Sequence, residues 1–152
     1  MPPRTEIKGL AELRTFAANL LRYLSENKKS PTVIALSGNL GAGKTTLVQQ
    51  LALELGIKET VTSPTFTIMK SYEVAEPELF QKLIHMDAYR IDSLDELRPL
   101  GLKSMLKEPA NLFCIEWAER IAAVLPGDTI YLTLNTIDVD TREIVFSLEP
   151  VV

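Results

Sequence analysis

From Gly9 to Lys29 the apolar residues Leu10, Leu13, Phe16, Ala17, Leu20, Leu21 and Leu24 recur at three- and four-residue steps, the period of one helix face. The spacing predicts a packing helix broken at Ser30 and Pro31. TVIALS, residues 32–37, is a short β-branched apolar run bounded by Gly38, which suits a strand buried on both faces. Helical spacing returns from Lys44 to Leu55 and stops at Gly56. After a turn at Ser63 and Pro64, alternation from Phe66 to Val74 predicts a strand, and KLIHMD predicts another that ends at Asp87. SLDELRPLG reads as a short helix with Ser93 as N-cap and Glu96 completing a capping box, and LKSMLKE as helical. NLFCIEW is a buried strand and AERIAAVL a helix closed by Pro126 and Gly127. TIYLTLNTI and REIVFSLEP, joined by DVDT, predict a hairpin at the sheet edge.

Strands alternating with helices imply an α/β fold: a three-layer sandwich of the P-loop NTPase type, with a central mostly parallel sheet and an antiparallel C-terminal edge. At 152 residues, without an internal repeat or linker, the chain is expected to form one domain over 1–152. No apolar run approaches the roughly 18 residues of a membrane span. The N-terminal MPPRTEIKG has no apolar segment behind its charges, so a cytoplasmic protein is expected. A net charge of −4 and pI near 5.1 argue against stable nucleic-acid binding by this chain alone. Its basic residues Lys28, Lys29, Arg90, Arg98, Lys103 and Lys107 are interspersed with acids and read as solvated surface. Cys114, the only cysteine, reads as a buried hydrophobe.

The chemistry concentrates at SGNLGAGKTTL, residues 37–47. Gly38, Gly43, Lys44 and Thr45 fit GxxxxGK[ST] between a predicted strand and a predicted helix. Glycines let the loop Gly38, Asn39, Leu40, Gly41, Ala42, Gly43 curl so that successive N–H groups face phosphate oxygens, and the helix start adds positive potential. Lys44 would reach the β- and γ-phosphates of ATP, and the Thr45 hydroxyl, followed by Thr46, would ligate Mg²⁺. Two acids end apolar runs, Asp87 in LIHMD and Glu116 in LFCIE, and the C-terminal ends of parallel strands face the ligand crevice. One would hold Mg²⁺ and the other orient the attacking water or the metal's water shell; spacing alone leaves open which. Thr65 in SPTF lies where switch loops reach over a γ-phosphate.

Four segments taken together, GNLGAGKTT at 38–46, VTSPTF at 61–66, HMDAYR at 85–90 and EW at 116–117, resemble the TsaE (YjeE) family in order and spacing. The resemblance implies an ATPase required for threonylcarbamoyladenosine in tRNA, acting on a complex of TsaD and TsaB without performing the carbamoyl transfer itself. It implies that Lys44 and Thr45 are the phosphate and Mg²⁺ ligands, Thr65 a switch-loop residue, Asp87 the Walker B type acid and Glu116 a second essential acid. Asn39 departs from the aspartate usual in the family, at a position that contributes mainly backbone.

His85 reads as a structural strand residue ahead of a catalytic base. Trp117 is balanced between core and partner-facing anchor, and Arg90 between surface charge and a nucleotide or partner contact. A small-molecule kinase would want an arginine-bearing lid, and a GTP-binding switch would want NKxD, for which NTID at 135–138 lacks the lysine.

Overall fold

The structure, a computed structural model, describes residues 1–27 and 31–150. Lys28, Lys29 and Ser30, where the first helix was expected to end, lie outside the described residues. Seven strands form one sheet: β1 Arg4–Lys8, β2 Thr32–Ser37, β3 Met69–Glu73, β4 Lys82–Asp87, β5 Asn111–Glu116, β6 Ile130–Thr136 and β7 Thr141–Ser147, in the order β1-β7-β6-β2-β5-β4-β3. The central strands β6, β2, β5 and β4 are parallel, while β3, β7 and β1 run antiparallel to their neighbours. This is the expected α/β architecture with a parallel centre.

Two helices, α1 Gly9–Asn27 and α2 Lys44–Glu54, cover one face. They bury Leu13, Phe16, Leu20, Leu47, Val48 and Leu51 against alternate sheet residues Ile34, Leu36, Leu83, Leu112 and Leu132. Burying each such side chain contributes about 1.5–3 kcal/mol. The other face, Val33, Ala35, Ile84, Met86, Phe113 and Ile115, packs under the segment Leu94–Leu100, the short helix α3 Leu102–Met105 and the segment Ala118–Val124. β2, β4 and β5 are buried on both faces, which is why their sequences are mostly apolar, with His85 of β4 the polar residue inside the run.

Several elements differ from expectation. RTEIK, not anticipated as a strand, pairs with β7, so β1 forms the edge and the C-terminal hairpin lies one strand in. The burial of β1 alternates, but only Ile7 is buried and apolar, so the five residues carry too little hydrophobic signal to read as a strand. The strand expected from Phe66 begins at Met69, because the Thr67 and Ile68 N–H groups both turn back to the Pro64 carbonyl and Ile68 sits at φ 66°. Leu94–Leu100 and Ala118–Val124, expected as helices, are wound as 3-10 helix; Pro99 lies within the first, and Ile121 breaks the second at φ −124°. The Ser93–Glu96 capping box is present, with the Glu96 carboxylate accepting the Ser93 N–H at 2.7 Å. Leu10, expected on the packed helix face, is 58% exposed.

Candidate functional site

β2 delivers the chain to the glycine loop at the C-terminal edge of the parallel strands. Gly38 stands at φ 142°, and a Cβ there would lie 2.5 Å from the Leu134 carbonyl oxygen of β6, so this turn admits only glycine. Gly43, at φ 103°, is the N-cap of α2. It offers no side chain, and the first turn of α2 contains no acid. The helix therefore starts with uncapped N–H groups, the arrangement that favours an anion. Lys44 opens that helix against the local dipole, an unfavourable place for a cation until an anion arrives. Its ammonium meanwhile donates to the loop's own carbonyls, Gly38 at 2.5 Å and Asn39 at 3.3 Å, and stands 3.9 Å from Glu116 Oε1.

The two strand-end acids meet through register. β4 and β5 pair in parallel with Asp87 opposite Glu116, and β5 places Glu116 opposite Leu36 of β2, one residue before the loop approach at Ser37. Side chains alternate along a strand, so His85 and Asp87 share the face of Leu83, and Glu116 that of Leu112 and Cys114, which is the face covered by α2. Both carboxylates are buried in the sense that little of either reaches solvent. Asp87 accepts the Tyr89 N–H at 2.9 Å through Oδ1 and the Thr65 hydroxyl at 3.3 Å through Oδ2; Thr65 is also 2.8 Å from the Ser63 hydroxyl. Glu116 Oε2 lies 3.2 Å from Nε2 of His85, which is completely buried. Burial, with the nearby Glu116 charge adding to it, pushes the Cys114 thiol far above its ordinary range, so this thiol is inert.

Thus Lys44, Glu116, Asp87 and Thr65 converge at one end of the sheet. Thr45 and Thr46 follow Lys44 within the first turn of α2. Among the described residues no three His, Cys, Asp or Glu side chains form a ready metal cage. A threonine hydroxyl with one or two carboxylates fits a hard cation that takes its remaining ligands from water and phosphate, the habit of Mg²⁺.

Around this centre lies a rim of exposed apolar side chains. Leu40 at the loop tip is fully exposed, Phe66 is 84% exposed and Trp117 is 44% exposed, which removes Trp117 from the core. Trp117 adopts φ 57°, ψ 38°, a rare conformation for a bulky residue, and its ring lies 4.9 Å from that of Tyr89. Arg90 covers the Phe66 ring at 5.2 Å, tying the end of β4 to the SPTF loop. Two contacts carried no signal in the sequence: Arg120 covers Tyr89 at 5.4 Å, and His85 meets Glu116 only because β4 and β5 are neighbours in the sheet.

On the other side of the loop is a cavity of about 240 Å³ walled by Leu10, Leu134, Val139 and Arg142 and floored by Gly41 and Gly43. It explains why Leu10 is not packed.

A family model described as threonylcarbamoyl adenosine biosynthesis protein TsaE matches residues 7–144, which include every residue of this constellation. This chain belongs to the TsaE family. The chain is 40% identical to the tRNA threonylcarbamoyladenosine biosynthesis protein TsaE of Treponema pallidum over 113 residues, covering 74% of this chain and 79% of that protein. The namesake protein of Rickettsia bellii is 31% identical over 140 residues, 91% of this chain and 90% of its own length. A crystal structure of Bacillus subtilis YdiB superposes with TM-score 0.67 at 30% identity, covering 94% of this chain and 82% of that one. TsaE-family membership assigns the protein to the tRNA threonylcarbamoyladenosine pathway. Among the described residues no helix is long and apolar enough to cross a membrane.

Proposed function

We propose that this TsaE-family protein is a cytoplasmic, Mg²⁺-dependent ATPase that acts on a complex of TsaD and TsaB proteins. The observation that carries the reading is the conjunction of an uncapped, lysine-bearing helix start with two buried carboxylates side by side on neighbouring strand ends. A triphosphate would draw Lys44 from the Gly38 and Asn39 carbonyls to its β- and γ-oxygens, while the loop from Gly38 to Gly43 supplies N–H groups. Thr45 and Asp87 would hold Mg²⁺, with Glu116 beside them to orient water or complete the metal's shell; the chemistry a bound Mg²⁺ supplies is neutralisation of phosphate charge. Thr65, already bonded to Asp87, would link the SPTF loop to the presence of a γ-phosphate.

The sheet order supports an orientation. The acids lie on the β5–β4 side of the loop and the apolar cavity on the β6–β7 side, so the base would occupy the cavity and the γ-phosphate would point to Asp87 and Glu116. A guanine-reading aspartate finds no support in NTID. Asp138 accepts the N–H groups of Asp140 and Thr141 at 2.9 and 2.8 Å, and is consumed by its own turn. Adenine is the base proposed.

Arg90 and Arg120 rest on aromatic rings, and among the described residues Lys44 is the lysine or arginine with an ion pair to these acids. An arginine supplied in trans is worth roughly 10³–10⁵ in rate in hydrolases of this type, so the isolated protein should be slow. The exposed Leu40, Phe66 and Trp117 rim suits a protein partner that brings the missing charge or orders the SPTF loop. Steady-state phosphate release is to be measured for the protein alone, with TsaD and TsaB together, and with an unrelated protein, using wild type and Lys44→Ala. Turnover raised by the partners and lost in a folded Lys44→Ala variant is expected. Unchanged activity in that variant sinks the P-loop mechanism, and rapid turnover indifferent to partners sinks partner activation.

A further inference from the structure

His85 is a fully buried polar residue on the sheet face covered by α2, where it stands between Leu83 and Asp87 at alternate positions of β4 and opposite Cys114 of β5. An aliphatic side chain would fill the same place with no polar atom to satisfy. The imidazole satisfies only half of its own requirement: Nε2 lies 3.2 Å from Glu116 Oε2, while Nδ1 has no hydrogen-bond partner among the described residues. A carboxylate accepts and does not donate, so in this contact Nε2 carries a proton.

We infer that His85 is a positioning residue that clamps Glu116 through a Nε2–H donation to Oε2 and thereby holds Oε1 toward the phosphate site. The inference rests on the hydrolysis reading for its kinetic consequence. Glu116 has two described tethers, His85 on Oε2 and Lys44 at 3.9 Å from Oε1. The second is drawn away when Lys44 turns to phosphate. From then on His85 holds the carboxylate in place, and without it Glu116 is free to rotate about its side-chain torsions at the moment its orientation matters. Partners that orient a functional group in this way typically contribute 10- to 100-fold.

His85 is the only histidine in the chain, so nitrogen-15 spectra of the imidazole are unambiguous in the intact protein. Wild type is expected to show the Nε2–H tautomer alone, and Glu116→Ala to lose that signature. An Nδ1–H tautomer in wild type, or an imidazole indifferent to Glu116→Ala, overturns the inference whether or not the protein turns over ATP. In kinetics, His85→Leu should lower kcat by roughly 10- to 100-fold with KM for ATP little changed. Gln carries its side-chain nitrogen the same number of bonds from the backbone as Nε2, so His85→Gln should recover most of the loss and His85→Asn should not. In a Glu116→Ala background His85→Leu should cost nothing further. If His85→Leu does not fold, the Gln and Asn variants decide, and equal activity of the two overturns the clamp. A wild-type protein with the Nε2–H signature but no turnover counts against hydrolysis and leaves the contact standing.

Discussion

Replacing Gly38 by alanine tests the pinning of the glycine loop to β6, because two separate penalties meet at that residue. Gly38 sits at φ 142°, a region that side-chain-bearing residues avoid at a cost of about 1–3 kcal/mol. The added Cβ would lie 2.5 Å from the Leu134 carbonyl oxygen, a backbone atom in a strand paired on both sides, so either β6 or the loop must shift. Overpacking of this kind costs another 1–3 kcal/mol or so. The sum is about 4 kcal/mol, which for a domain of this size lowers Tm by about 8–16 °C. Gly41 is the internal control: it also has positive φ, 81°, but a Cβ there meets nothing within 4 Å. Gly41→Ala should cost about 1 kcal/mol, or about 2–4 °C. Thermal melts of both variants, followed by circular dichroism, make the comparison. A Gly38→Ala midpoint no lower than that of Gly41→Ala refutes the reasoning, since it would mean that the loop is not seated against β6.

Asp87 and Glu116 lie opposite one another on adjacent strands, where like charges repel, so Asp87→Asn should lose phosphate release yet melt at or above the wild-type temperature; a collapsed fold would make the acid structural. The Asp138 carboxyl is held below its ordinary value of 3.8, first by the Asp140 N–H and then by Thr141. A depressed folded pKa adds stability that is present above the unfolded value and disappears as pH falls through the folded one. Asp138→Ala should therefore lower stability at neutral pH and show a shallower decline below about pH 3.8 in denaturant titrations, with an unchanged acid limb as the contrary result. Cys114, completely buried in β5 with its thiol pushed up by burial, should resist thiol reagents in the native protein and react on unfolding; rapid native labelling would show that β5 opens.

The glycine loop between a strand and a helix and the two acids at strand ends were legible in the amino-acid sequence. Each depends on a local rule: glycine at forced turns, largely apolar runs for strands covered on both faces, and acids at the ends of such runs. The Ser93–Glu96 capping box was legible for the same reason, since its partners are three residues apart. What depended on distant chain could not be read in this way. RTEIK has one buried residue and becomes a strand only because β7 presents an unpaired edge to it. The sequence left Trp117 balanced between core and anchor and read Phe66 as the start of a strand, yet Phe66 lies in a turn closed on Pro64 and Trp117 is swung outward by a left-handed backbone onto Tyr89. Leu10 follows the helical period but faces a cavity whose far wall, Leu134 to Ile144, comes from the other end of the chain. The pairing of His85 with Glu116 needed β4 and β5 to be neighbours in one register, a fact that arises when the sheet assembles. Local periodicity thus determined which groups the chain offers, and tertiary register decided which of them touch.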